Sequence, residues 1–497
     1  MLDVEIAEGY LRGCMEQDVL CWYGIPYAEP LQGLGRIRAP QPRRPWVGVR
    51  DARQFGCSVP QEVPAFLGVE NMGDDCLNLN IWSPRVQGKR PVMVWIHGGG
   101  YLNGSSSQSM YRGHPWARDH DVIIVSINYR VGLVGFADWR AWPELQGATN
   151  CGLRDIVLAL TWIQNNIHVF GGDPESITLF GQSAGAMAIS ALLAVPSARG
   201  LFHRAILQSG SADHILMPEV AQQVTAKLAM QSGSLHELFS TGSWQDVLLA
   251  QRAILRMTLP RSHYVIANMQ FGMPALPCLD DDFLPGLPMQ TEVNMPLLIG
   301  TARDEWSLYL YMPELMGGRP ARGDINVDEQ VWEQVVSRGV PEIAQEMMQS
   351  YRRLMPGSTP AERIVAFETD RVFRISSLAL ASKQAQSSYV YRLDWSCVGN
   401  RRLGACHVID LPLIWGQVDS PLGKFFTGGD EDAIALSSYM MQCWARFARD
   451  GVPALDWPVY GQQRWTHRLD RDRGYEADSQ GDRRQLWFPY IGFAEKL

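Results

Sequence analysis

Five residues, Gly181-Gln182-Ser183-Ala184-Gly185, constrain this chain more than any others. The apolar run Ile177-Thr178-Leu179-Phe180 precedes them, and a small-residue, helix-prone run from Ala186 to Ala194 follows. The order is strand, sharp turn, helix, with a serine at the apex, which is the pattern of a nucleophile elbow. A turn that tight leaves no room for side chains on its flanks, hence the two glycines. The same turn lifts the serine hydroxyl clear of the backbone. It also aims the amide N–H groups of a helix N-terminus at any negative charge developing there. By itself the pentapeptide is a weak signal in a chain with 46 glycines, so the rest of the chain has to supply its partners.

Composition narrows the setting. The 497 residues are 46% hydrophobic and 19% charged, ordinary for a globular protein with a large core. A formal charge of -8 argues against a nucleic-acid surface. No apolar run reaches the roughly 18 residues of a membrane-spanning helix. Met1-Leu2-Asp3-Val4-Glu5-Ile6 lacks the apolar stretch of a secretory signal, so a cytoplasmic location is expected. The nine cysteines form no C-x-x-C pair, and the sequence has no HExxH, Walker or dinucleotide motif. Neither a metal nor an organic cofactor is expected.

Along the chain, residues 1–60 read as short strands and turns, with Gly24-Ile25-Pro26-Tyr27-Ala28-Glu29-Pro30 an irregular loop. Asn78–Trp82 reads as a strand. The apolar runs Val92–Ile96 and Val122–Ile127 fit strands buried on both faces, as in a parallel sheet covered by helices. Leu153, Ile156, Leu160 and Ile163 recur at helical spacing, and Gly171-Gly172-Asp173-Pro174 reads as a turn before the elbow strand. Strands are expected at 204–208, 296–300 and 388–393, and a helix over 434–450, closed by Gly451. Helix-rich insertions occupy about 210–295 and 310–385, where pocket walls tend to sit. Alternating strands and helices, with no internal repeat or low-complexity linker, argue for one α/β domain over 1–497.

A serine hydroxyl needs a base within hydrogen-bond reach, and the base needs an acid to fix its tautomer. In elbow folds the chain order is Ser, acid, His. After the strand at 296–300 the histidines are His407, in the loop Gly404-Ala405-Cys406-His407-Val408, and His467, in an alternating segment that reads as an edge strand. The loop position favours His407. For the acid, Asp304 and Glu305 both follow the strand end, and the residues alone leave them level. The oxyanion needs backbone donors free of side-chain bulk. His97-Gly98-Gly99-Gly100-Tyr101 is the loop type that pairs with an elbow, which makes Gly99, Gly100 and Ala184 the candidates.

These residues carry a resemblance. The chain resembles the type-B carboxylesterase and cholinesterase family, especially bacterial carboxylesterases of the para-nitrobenzyl esterase kind. The match runs nearly end to end. It includes Gly24–Pro30, Asp75–Asn80, His97–Tyr101, Asn128-Tyr129-Arg130, Phe170–Pro174, Phe202–Ile206, Gln208-Ser209-Gly210, Asp304-Glu305, the His407 loop and Trp444–Ala448. The resemblance implies the α/β-hydrolase fold, with a large, mostly parallel central sheet flanked by helices. It implies ester hydrolysis through an acyl-serine intermediate, with a small ester and water as partners. It places the triad acid at Glu305, beside Ser183 and His407. It implies structural ion pairs Arg130–Asp173 and Arg36–Asp74, and a family disulfide position at Cys57 and Cys76 that a cytoplasmic chain leaves open.

There are departures from the family pattern. Trp306 stands where glycine is usual, and Gln182 where glutamate is commoner. Between Cys57 and Cys76 the only aromatic is Phe66, which argues against a quaternary-ammonium site. Tyr101, Trp306 and Trp415 are candidate pocket walls, with plain core packing the alternative, and Ser209 is a candidate neighbour of the triad. Two rival readings remain: the same triad acting on a carbamate, thioester or specialised ester, and a non-catalytic binding or adhesion module on the same scaffold.

Overall fold

The computed structural model describes residues 2–63, 68–210, 212–254, 275–312, 327–384 and 386–491. Its centre is one sheet of thirteen strands. In chain order these are β1 (Leu2–Ile6), β2 (Gly9–Glu16), β3 (Val19–Pro26), β4 (Val49–Asp51), β5 (Asn78–Ser83), β6 (Arg90–Ile96), β7 (Ile123–Ile127), β8 (Gly172–Gln182), β9 (Arg204–Gln208), β10 (Leu297–Ala302), β11 (Ser388–Leu393), β12 (Trp465–Leu469) and β13 (Gly474–Ala477). The spatial order is β1-β2-β3-β5-β7-β6-β8-β9-β10-β11-β12-β13, with β4 beside β2. From β7 to β12 every neighbouring pair is parallel. The strands at either end of the order pair antiparallel.

The central strands are apolar on both faces because each face has its own core. In β6, Val92, Val94 and Ile96 enter one core while Met93 and Trp95 enter the other. The first core is covered by α2 (Cys151–Asn166), through Leu153, Ile156, Leu160 and Ile163, and by α3 (Ala184–Leu192). The second is covered by α1 (His114–His120) and α4 (Glu431–Asp450), through Trp116, Leu436, Met440, Trp444 and Phe447. Each of these large side chains, fully buried, contributes about 1.5–3 kcal/mol. Helix α4 starts where the Asp430 carboxylate accepts from the Ala433 amide at 2.9 Å, and stops at Gly451, with φ 75°.

Several local readings differ. Gly172-Asp173-Pro174 is not a turn but the start of β8. The register against β6 jumps between Arg90↔Gly172 and Val92↔Ile177, so the ladder absorbs the segment as an irregularity. Gly24-Ile25-Pro26 closes β3 instead of forming a loop, and a register shift between Trp22 and Ile25 accommodates it. His467 is not on the sheet edge, since β12 lies between β11 and β13. The first insertion contains helices Pro218–Ser232, Leu235–Ser240 and Trp244–Ile254. The second contains Glu329–Gly339, Ala344–Leu354, Pro360–Thr369 and Ile375–Lys383. Phe66 lies outside the described residues, as do 255–274 and 313–326 of the insertions.

The two expected ion pairs are replaced. Arg130 pairs with Asp155 at 2.5 Å, both side chains fully buried, and its Nη1 donates to the carbonyls of Arg36 and Arg38. Asp155 is on the inward face of α2, whereas the Asp173 carboxylate accepts from the Glu175 amide. Arg36 and Asp74 meet on a third residue, Trp244. The guanidinium lies 4.6 Å over its ring, and the indole N–H donates to Asp74 at 2.5 Å. Cys57 and Cys76 are both free thiols.

Candidate active site

Four strands of the parallel region deliver the candidate residues at their C-terminal ends, where an open α/β sheet forms its crevice. The glycine loop follows β6, Ser183 follows β8, Glu305 follows β10, and His407 comes from the loop after β11.

Ser183 has φ 57° and ψ -128°, a conformation costing a non-glycine residue about 1–3 kcal/mol. The surroundings hold it there. The Ser183 amide donates to the Gln208 carbonyl at 2.9 Å, and the Ser183 carbonyl accepts from Met187 in the first turn of α3. A Cβ on Gly185 would fall 2.0 Å from the Ile96 carbonyl oxygen, and one on Gly181 would fall 2.8 Å from it. Both elbow glycines are therefore required by close approach of the β6 backbone. Ala184 is the first residue of α3, so its amide is among the helix donors without an intrahelical acceptor.

Gly99 and Gly100 have φ 115° and 62°, and a Cβ on Gly99 would meet the Asn103 carbonyl oxygen at 2.1 Å. A Cβ on Gly98 would touch Ser183 Cβ at 3.2 Å, so this loop lies directly on the elbow. His97 anchors it from below. Its ring stacks on Tyr129 at 4.5 Å, and the Tyr129 hydroxyl donates to the His97 carbonyl at 2.8 Å. Full burial pushes the His97 imidazole down to about 4, so the ring stays neutral.

Glu305 and His407 are both buried, with Oε2 and Nδ1 2.6 Å apart. The other Glu305 oxygen accepts from the Ala302 amide at 2.7 Å, and the His407 amide donates to the Glu305 carbonyl at 3.2 Å. With Nδ1 protonated towards Glu305, Nε2 is an acceptor. The Gln182 side-chain amide meets it at 3.2 Å. Asp304 turns the other way, accepting from Arg303 at 2.8 Å and from the Ala405 amide at 2.9 Å. His467 lies in a separate cluster with Tyr439, Trp457 and Tyr475.

A profile of the carboxylesterase family matches residues 2–482. The chain belongs to the carboxylesterase family. It is 32% identical over 504 aligned residues to the para-nitrobenzyl esterase of Bacillus subtilis (strain 168), covering 97% of this chain and 98% of that one. It is 34% identical to the phenmedipham hydrolase of Pseudarthrobacter oxydans, over 91% of each. The structure of a Geobacillus stearothermophilus carboxylesterase at pH 6.2 superposes with a TM-score of 0.84 at 32% identity, covering 98% of this chain and all of that one. The fold is the α/β-hydrolase fold of these esterases, and the protein is a carboxylic ester hydrolase.

The remaining candidates divide between the two sides of the esterase's sheet. Trp306 and Tyr101 lie in the core that includes α3, and Trp415 in the opposite core, packed against Trp95, Phe180 and Tyr111. Trp306 lies with its ring centroid 4.9 Å from that of Tyr309, and its amide donates to Thr369. Tyr101, with φ 59°, packs edge-on against Phe136. Ser209 is buried, and its amide donates to the Gly300 carbonyl at 2.8 Å.

Two features escaped the sequence reading. Tyr309 stands beside the Ser183 side chain, and its ring lies 5.5 Å from that of His407. Burial, with the nearby Glu305 charge, pushes its phenol well above the usual range, so it stays protonated. A helical turn starting at Ser307 carries Tyr309 back over the acid four residues before it, and that spacing was the available signal. Close to Glu305 and His407, Gln208 Nε2 donates to Asp410 at 2.6 Å, and Trp444 Nε1 donates to Gln208 Oε1 at 3.2 Å. Burial raises the Asp410 carboxyl to about 6, against the lowering effect of Gln208.

Proposed function

We propose that Ser183 is the nucleophile of this carboxylesterase, His407 its general base and then acid, and Glu305 the group that fixes the imidazole tautomer. Ser183 attacks the ester carbonyl as His407 Nε2 takes its proton. The same proton goes to the departing alcohol, and a water activated by His407 then releases the acid from the acyl-serine. Glu305, held by the Ala302 amide, steadies the imidazolium. The amides of Gly99, Gly100 and Ala184 receive the oxyanion, where loss of one donor typically costs roughly 100- to 1,000-fold. The observation that carries this reading is the 2.6 Å contact of buried Glu305 with His407 Nδ1, at the rim where the strained Ser183 sits. In the resting arrangement His407 Nε2 faces Gln182. The Ser183–His407 bond forms when substrate displaces Gln182 from Nε2.

The whole chain acts as one hydrolase unit, with the helices of 210–295 and 310–385 shaping the pocket and Trp306 narrowing it beside Tyr309. The substrates are small-molecule esters. A cytoplasmic setting fits nine cysteines that are all free thiols. The test compares native protein with Ser183→Ala on short-chain and aryl para-nitrophenyl esters, followed by a fluorophosphonate probe. Phenmedipham is included because a relative is named for hydrolysing it. Turnover and labelling by the native protein, both lost in the variant, support the assignment. Turnover that survives in Ser183→Ala overturns it.

A further inference from the structure

The structure assigns a second site, distant in sequence from the triad, where Cys21, His114 and Glu16 converge to bind a thiophilic divalent cation of the zinc type. The β2–β3 hairpin supplies two ligands and the first residue of α1 the third. The three ligand-capable atoms lie within 4.8 Å of one another. Cys21 Sγ is 3.6 Å from His114 Nε2, and Glu16 Oε2 is 3.3 Å from the same nitrogen. Zinc bonds of about 2.3 Å to sulfur and about 2.0–2.2 Å to nitrogen and oxygen give tetrahedral edges of about 3.5 Å (S–N) and about 3.3 Å (N–O). The observed separations match both edges.

Nε2 faces the Cys21 sulfur and the Glu16 carboxylate together and bonds one of them at a time, while the Cys21 thiol also lies 3.5 Å from the Val19 carbonyl. A cation between the three satisfies all of them. Cys21 is fully buried and the His114 side chain is 5% exposed, so two ligands are already held in place, while Glu16 closes the site from the surface. The outer partner is present as well, since the Tyr23 hydroxyl donates to Glu16 Oε2 at 2.9 Å. Cys14 stands directly opposite Cys21 in the hairpin register, its Sγ 3.5 Å from Glu16 Oε1, outside the group of three, so water completes the coordination. The donor set of thiolate, imidazole and carboxylate suits zinc over calcium or magnesium. The sequence gives no sign of the site because its ligands come from a hairpin and a helix about ninety residues apart, with no C-x-x-C spacing.

The test is a Co²⁺ titration of the full chain, stripped with chelator and kept reduced with a phosphine. The expected result is one equivalent bound, with a thiolate-to-cobalt charge-transfer band that Zn²⁺ abolishes by displacement. Cys21→Ser removes the band and Cys57→Ser leaves it. Glu16→Gln, at an exposed position that leaves the core intact, weakens binding by roughly tenfold or more, and Tyr23→Phe by about tenfold. Circular dichroism establishes that each variant is folded. No stoichiometric band, a band that persists in Cys21→Ser, or unchanged affinity in Glu16→Gln overturns the assignment and leaves the cluster as a hydrogen-bonded hairpin contact.

Discussion

Glu305 Oε2 lies 2.6 Å from His407 Nδ1, and neither side chain reaches solvent. A carboxylate so placed accepts a hydrogen bond from Nδ1–H, which leaves Nε2 free for the base role proposed for it. Glu305→Gln keeps the shape but can present an N–H to Nδ1, which favours the other tautomer. The expected outcome is a fall in kcat of about 10,000-fold on para-nitrophenyl acetate with an unchanged melting temperature. Asp304→Asn, whose parent carboxylate faces Arg303 and Ala405, is expected to keep most of its turnover. The two variants, assayed side by side, test which acid of the pair serves His407.

The Tyr309 hydroxyl stands beside the Ser183 side chain. In the mechanism proposed above, the Tyr309 O–H donates to the serine oxygen as His407 takes its proton. Hydrogen bonds to charged groups contribute about 1.5–3 kcal/mol, so Tyr309→Phe is expected to lower both kcat and kcat/KM by roughly tenfold or more. A tyrosine that merely fills space predicts no change, since phenylalanine keeps the ring. Steady-state kinetics on one para-nitrophenyl ester distinguish the two.

The parts of the site that were legible in the sequence are local ones. The elbow glycines and the 97–101 loop announce themselves because tight turns and close backbone approaches leave few residue choices, and the backbone atoms that a Cβ at 99, 181 or 185 would strike give the reason. Longer-range pairing was not legible. Asp155 and Asp173 are the same residue type, and only the inward face of α2 decides that Asp155 meets Arg130. Asp304 and Glu305 are adjacent, and the turn alone sends one carboxylate to Arg303 and the other to His407. Gln208 and Asp410 are joined by the meeting of β9 with the first residue of the helix Asp410–Ile414, about two hundred residues away, which no spacing rule encodes.

Asp410 makes stability depend on pH. Its folded carboxyl is raised to about 6, chiefly by burial, while an unfolded aspartate titrates near 3.9. Below the unfolded value both states hold the proton and the contribution is complete. As pH rises towards 6 the unfolded chain ionises first, so this contribution is lost, reaching about 3 kcal/mol for two units. Asp410→Asn keeps an acceptor for Gln208 and removes the titration. The variant is expected to gain stability relative to native protein between pH 4 and pH 7, by up to about 3 kcal/mol, read from urea unfolding at the two pH values.

Arg130 and Asp155 form a fully buried pair at 2.5 Å, with three backbone carbonyls also around the guanidinium. Removing one partner leaves the other charged and without water, at a cost of about 3–5 kcal/mol. Asp155→Ala is therefore expected to lower the urea midpoint sharply or to prevent folding. Asp173→Ala, which loses only an acceptor for the Glu175 amide near the start of β8, is expected to stay within about 0.5 kcal/mol of native protein. Arg130→Met with Asp155→Leu removes both charges at similar volume, and buried pairs replaced in this way commonly recover stability. The double variant is expected to be more stable than Asp155→Ala alone. If instead it is no better, the carbonyls of the Gly35–Arg38 turn, which lose the guanidinium only in the double variant, cost as much as the stranded charge.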